Sequence, residues 1–451
     1  MTRTVKWVFI TVMMLAVLLT AIFVPWGSRT GGKRGGNLAI AQAAYPEYQK
    51  YSANMEHWGD WYENKKSQYE SAKVYNELLD PFIHAAVPEL LTGAGEENRI
   101  CSPLNVYMAL SVLAEISEGN SREQVLDLLG CGTIEDVRTR AKALWTANYQ
   151  DDGTVTSLLA NSLWLNEDIE FVQETMDLLA EEYYASSFAG KMGSAEFDRM
   201  LQEWINDNTG GLLAEQAAGL SMPPDTLLAL ASTIYYRGRW DHEFNPEFTE
   251  PDVFHAPAGD QTVDFMRQTM EDTYYWGEHF SAVSKRLENS GEMWFFLPDE
   301  GVSPDELLAT GEITEFLEST RPREDGRWRW ENNKHLIIHL SMPKFDVVSD
   351  LDLIGHLKAL GVTDVFEPDT ADFSAIVSPA LLPYIEKATH AARVKIDEEG
   401  VEAAAYVEMM MAAGAAAPPD EEIDFVLDRP FLFAVTGEDY LPLFMGIVNQ
   451  P

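Results

Sequence analysis

The stretch "DEEGVEAAAYVEMMMAAGAAAPPDEE", Asp397 to Glu422, sets the strongest constraint on how this chain can fold. Alternate residues give Val401, Ala403, Ala405, Val407, Met409 and Met411 on one side, all apolar, and Glu402, Ala404, Tyr406, Glu408 and Met410 on the other. That is the pattern of a half-buried strand. Alanine favours helix over strand, so intrinsic propensity pulls against the alternation. Acids, a glycine and prolines at the two ends mark an exposed segment. The stretch is predicted to be a conditional strand, exposed at first and able to enter a sheet whose neighbouring strands must part for it.

The rest of the composition fits a folded protein. A chain of 451 residues with 46% hydrophobic content can bury a large core. With 73 acidic against 32 basic residues the net charge is -41, and that field repels nucleic acid and anionic lipid. Two cysteines, Cys101 and Cys131, build no disulfide framework; they form either one bridge or, as we read them, two free, half-buried thiols. At the amino terminus, Arg3 and Lys6 precede the uncharged run Trp7 to Val24, with Pro25, Arg29, Lys33 and Arg34 behind it. Such a run predicts an export segment, either a cleaved signal or a membrane anchor on the outer face. Small-x-small sites lie downstream at Ala39-Ile40-Ala41 and Ala41-Gln42-Ala43. Residues 1–44 are thus a signal or anchor plus a flexible linker from Gly31, and 45–73 are assigned no element.

Further along, Pro103 to Ile116 is apolar at helical spacing, with Ser102 as cap and Pro103 in the first turn. Leu227 to Trp240 and Lys334 to Phe345 read as strands, and Val426 to Val435 and Pro442 to Asn449 as the two arms of a hairpin. Helices dominate the first half and strands the second without βαβ alternation, which makes the class α+β. Catalytic signatures are absent: no G-x-S-x-G, no phosphate-binding loop, no H-E-x-x-H and no paired-cysteine zinc spacing. No metal or cofactor is expected, and an exported hydrolase is the competing reading from another class.

Seven stretches in order carry a family resemblance. "DEEGVEAAA" (Asp397 to Ala405) resembles the proximal hinge of the reactive-centre loop in serpins, the suicide protease inhibitors. "NRICSPLNVYMAL" (from Asn98), "LANSLW" (from Leu159), "EWINDNTGGLL" (from Glu203), "YYRGRWDHEF" (from Tyr235), "MPKF" (Met342 to Phe345) and the closing pair "RPFLF" and "LFMGIVNQP" resemble that family's other motifs. The resemblance covers about 74–451. It implies a serpin domain of about eight or nine helices around three β-sheets, with an exposed loop near 398–424.

What it implies for function is mechanical. A protease attacks the loop as a substrate and forms an acyl-enzyme, and the cut loop then inserts into the central sheet with the protease attached. The hinge would be Glu398, Glu399, Gly400, Val401, Glu402, Ala403, Ala404 and Ala405; the sheet-opening region would comprise Ser102, Pro103, Asn105, Asn161 and His390. Counting fourteen residues on from Gly400, as inhibitory members do, places the bait bond at Gly414-Ala415, with Met411 as the alternative. Small residues there suit an elastase-like or subtilisin-like target, met by a monomeric, exported inhibitor. Non-inhibitory serpin and cross-class cysteine protease inhibitor are the alternatives within the fold. Asn105, and Ser232-Thr233 before the strand at Tyr235, depart from the family pattern at positions that control sheet opening.

Overall fold

Ser102 and Pro103 start the central helix as their chemistry requires. The Ser102 Oγ accepts the Asn105 N–H at 3.2 Å, and Pro103 sits in the first turn, where a missing N–H leaves nothing unpaired. The computed structural model describes residues 9–17 (as backbone), 39–46, 58–151, 155–288, 290–321, 330–401, 419 and 421–451. Helix α1 spans Trp58–Leu91 and helix α2 spans Pro103–Ile116. Every residue of α2 is buried, the polar Asn105, Ser111 and Glu115 included. Its one acid, Glu115, takes two bonds of 2.8 Å from Arg138 and a third of 2.9 Å from the Tyr183 hydroxyl, so the buried charge is fully partnered.

Among the described residues, two nine-stranded sheets pack around these helices. The first holds β1 (Phe9–Val17), β2 (Ala39–Ala41), β3 (Thr156–Asn166), β4 (Ala185–Gly190), β5 (Thr226–Arg239), β6 (Phe345–Asp352), β7 (Tyr384–Ile396) and β8 (Gly400–Val401), with the short strand Gln150–Asp151 at the side of β3. Across it run β6, β7, a shared position, β5, β3, β4 and β2. The shared position lies between β5 and β7, which are not paired with each other. Its upper end holds β8, antiparallel to both neighbours, and its lower end holds β1, parallel to both. The second sheet is continuous through one long strand, Gly259–Trp276, which pairs with Glu250–Ala256 and Asn333–Pro343 over most of its length and with Phe280–Arg286 at its end. Two of the three expected sheets are therefore joined through a single strand.

The strands foreseen at 227–240 and 334–345 are present at Thr226–Arg239 and Asn333–Pro343. The closing hairpin is shorter than expected, Phe431–Thr436 with Pro442–Val448. Val426 ends a different strand, Glu422–Val426, which pairs parallel to Asn333–Pro343. Pro430 has no N–H to offer a ladder, so the two strands part around it.

Upstream of α1 the chain is also structured. Ala39–Ala41 adds to the edge of β4, Ala43 donates its N–H to the Ser186 Oγ, and Tyr45 stacks among Trp145, Tyr149 and Tyr184 while its hydroxyl donates to the Tyr184 carbonyl at 3.1 Å. Cys101 and Cys131 are free and buried. Among the described residues no helix is long and apolar enough to cross a membrane. Tyr45→Ala should free residues 39–46 without unfolding the domain; the measurement is amide hydrogen exchange, expected to rise at Ala39–Ala41 and stay unchanged in α2.

Candidate functional site

The hinge begins where β7 ends. The Asp397 carboxylate accepts the N–H groups of Glu399 and Gly400, at 3.0 and 3.3 Å, and so closes a tight turn. Gly400 lies at φ +152°, and a Cβ there would come within 2.5 Å of the Gly238 carbonyl oxygen and 2.8 Å of the Arg239 Cα. Only glycine permits this approach. Val401 then enters the sheet fully buried, opposite Gly238 on β5 and Ile396 on β7.

Tryptophan holds the turn from below. The Trp240 indole N–H donates to the Asp397 carbonyl at 3.0 Å, its backbone N–H to the Glu399 carbonyl at 3.2 Å, and the Phe244 N–H to the Glu398 carbonyl at 3.0 Å. The Glu398 carboxylate meets Lys344 Nζ at 2.7 Å and accepts from the Thr249 hydroxyl at 2.8 Å. Partial burial pushes this carboxyl upward, but those bonds outweigh it and hold the group below its ordinary range. Trp240 and Lys344 lie in the "YYRGRW" and "MPKF" stretches, yet nothing in either stretch says that they grip the hinge.

Beneath the two rings sits Lys285. Its ammonium lies 4.6 Å from the centre of Phe244 and 5.4 Å from that of Trp240, and it donates to the His242 carbonyl and the Gln268 side chain. Burial pushes it down to about 8, against the pull of Asp241 and Asp272. This buried cation had no signal in the sequence, where "SKRLE" reads as an ordinary charged turn.

Midway down the sheet, α2 meets β5 and β7. His390 on β7 is fully buried, and its Nε2 accepts the Ser102 N–H at 3.0 Å. Desolvation lowers its pKa to about 3, so the ring stays neutral and holds the α2 cap to the strand. Asn105 accepts the Ser232 hydroxyl at 2.7 Å. The two departures from the family pattern are thus partners, exchanged at both ends of one contact between α2 and β5. Asn161 on β3 donates to the Tyr183 carbonyl at 3.1 Å and pairs with Ser232 in the ladder. Of the expected site residues, Ser102, Pro103, Asn105 and His390 meet under the sheet, with Asn161 one strand away, and Glu398 to Val401 lie at its top. Glu402, Ala403, Ala404, Ala405, Met411, Gly414 and Ala415 lie outside the described residues. Among the described residues, no group of three His, Cys, Asp or Glu side chains is placed to hold a metal ion.

Comparison with known proteins agrees with this geometry. Residues 82–451 match the family model described as Serpin (serine protease inhibitor). Serpin-ZX of Arabidopsis thaliana is 26% identical over 397 residues, 85% of this chain and 98% of its own. Leukocyte elastase inhibitor of Equus caballus is 28% identical, over 78% and 93%. Among solved structures, native tengpin, a thermophilic serpin, superposes with a TM-score of 0.71 at 24% identity, over 91% of this chain and 97% of its own. Thyroxine-binding globulin in complex with thyroxine gives 0.69 at 17% identity, over 83% and 99%. At these identities the structural matches speak for the fold.

Two measurements check the site. A double-mutant cycle on Asn105→Ala and Ser232→Ala, read by denaturant unfolding, should return a coupling of about 1 kcal/mol. Lys285→Met keeps the side-chain length and removes the buried charge, so at pH 7 the variant should be more stable by on the order of 2 kcal/mol. The native ammonium gives up its proton near 8 and the unfolded one near 10.5. Wild-type stability should therefore climb relative to the variant as pH rises across that window; a constant difference would contradict the assignment.

Proposed function

This chain belongs to the serpin family of protease inhibitors, and from that premise we propose that it traps serine endopeptidases of elastase-like or subtilisin-like specificity by inserting its cut loop between β5 and β7. One observation carries the reading. In the antiparallel register of β8, Gly400 faces Arg239 and Val401 faces Gly238 on β5, while Val401 faces Ile396 on β7. Carried on without a bulge, that register brings Ala413 opposite Thr226, the first residue of β5, and equally opposite Tyr384, the first residue of β7. Both strands give out at the same loop residue. The next residue is Gly414, which precedes the expected bait bond, so a loop cut at Gly414-Ala415 is one residue longer than the slot between the strands.

The alternation of the loop fits the same slot. Continued as a strand, its apolar set from Ala403 and Ala405 to Met411 would fall on the same face as Val401, which is buried. Alanines flank the bond and neither Lys nor Arg occurs between Gly400 and Glu422, which suits a shallow specificity pocket and not a deep acidic one. The relative named leukocyte elastase inhibitor points to the same target class. Read as an export signal, Trp7 to Val24 places the encounter outside the cytoplasm. A carrier role is the alternative, suggested by the likeness to thyroxine-binding globulin; it would give loop cleavage with no trapped protease.

The test uses the chain from Ala39 onward, the form left by removal of the export segment. Incubated with pancreatic elastase or subtilisin, it should give a complex that survives SDS, and mass spectrometry of the released peptide should find it beginning at Ala415. A start at Ala412 would move the bait to Met411. Ala403→Arg puts a charge on the buried face at a cost of several kcal/mol, and should turn inhibition into simple cleavage. The cleaved wild type should melt higher than the intact protein, because one more paired strand is added; a cleaved form that melts lower would rule out insertion.

A further inference from the structure

The slot between β5 and β7 already has an occupant along its lower part. Phe9–Val17 pairs with β5 from Phe9 opposite Thr226 to Val17 opposite Tyr235, and with β7 from Phe9 opposite Tyr384 to Leu15 opposite Ala391. The loop and this strand therefore claim the same backbone groups. In the register set by β8, Glu402 comes opposite Arg237, Ala403 opposite Tyr236 and Ala404 opposite Tyr235. Tyr235 is where Val17 already pairs. The loop can advance by two residues beyond β8 before it meets β1, and the ten positions from Ala404 to Ala413 are the ones β1 fills.

The sequence of β1 suits the place. A strand paired on both sides in the middle of a sheet reads as a continuous apolar run, and "FITVMMLAV" has no charge, glycine or proline. Reach is no obstacle. Ala39–Ala41 is anchored on β4, four strand spacings away or about 20 Å, and the 21 residues from 18 to 38 can span up to about 70 Å. Being on the same chain, β1 competes at an effective concentration that a protease-cut loop must overcome within the lifetime of an acyl-enzyme.

We propose that Phe9–Val17 is a built-in occupant of the insertion slot, so that the chain carrying its own amino terminus is cut as a substrate, and removal of the residues ahead of Ala39 arms it as an inhibitor. This rests on the inhibitory reading given above. It makes the step that frees the amino terminus the step that activates the protein, and keeps the chain harmless to proteases before that step.

The experiment compares the full chain with the full chain bearing Thr11→Pro and Met13→Pro, which remove two ladder donors from β1 and nothing from the domain. With elastase, the full chain should be cleaved largely without complex, and the variant should give about tenfold more SDS-stable complex. A synthetic peptide of residues 9–17, supplied at roughly millimolar concentration to match the tethered strand, should return the variant to substrate behaviour. A second variant, Thr11→Lys with Met13→Lys, should behave as the proline form does, since charge also bars a central strand. Equal complex from the full chain and both variants overturns the proposal alone. Complex from none of them overturns the proposal together with the inhibitory reading.

Discussion

The architecture depends on two long strands, β5 and β7, that lie in one sheet without pairing to each other. Strand edges are strong, obligatory hydrogen-bonding surfaces, and a position flanked by two of them favours any extended segment that reaches it. Val401 and Gly400 take the top of this position and Phe9–Val17 takes its lower part, from Thr226 to Tyr235 on β5. The remaining features of the site are arranged around keeping the two edges apart or bringing a strand between them.

Control is exerted at two levels. At the top, Trp240 and Phe244 hold the turn of Asp397 to Glu399 by three backbone-directed bonds, and the Lys344–Glu398 pair fixes its side. Lys285 sits below with a charge that its surroundings do not fully repay, so the same packing that anchors the hinge also carries a cost while the ammonium is charged. In the middle, neutral His390 and the Asn105–Ser232 bond attach α2 to β7 and β5 separately. A helix bonded to both strands registers any change in their separation. That is a physical basis for coupling strand insertion to a shift of the core beneath.

Much of this was legible in the chain. The cap at Ser102 and Pro103, the buried α2, the glycine at 400 and the strands at Thr226–Arg239 and Asn333–Pro343 all follow from local residue chemistry. The closing hairpin was placed correctly but drawn too long, because Val426 and Leu427 are strand-like residues close ahead of Phe431 while the ladder cannot pass Pro430. The helix from Trp58 was missed because its first turns carry no clean apolar period, and its tie to the rest of the fold runs through distant partners such as Gln150, which Lys65 reaches at 2.7 Å.

The sequence by itself determined the family pattern and the class of fold, since each is written in neighbouring residues and their spacing; the conditional strand and the count from Gly400 to Gly414 are its expectations. Tertiary structure alone decided which groups meet across the chain: Lys344 with Glu398, Asn105 with Ser232, Lys285 beneath Trp240, and Phe9–Val17 between β5 and β7. The uncharged apolar run Trp7 to Val24 suits a bilayer, and its part Phe9–Val17 suits the middle of a sheet, because both offer an apolar environment and differ in where the backbone hydrogen bonds go. The chain's local pattern is silent on that choice. It is made by two strands, more than two hundred residues away, whose facing edges are left without each other.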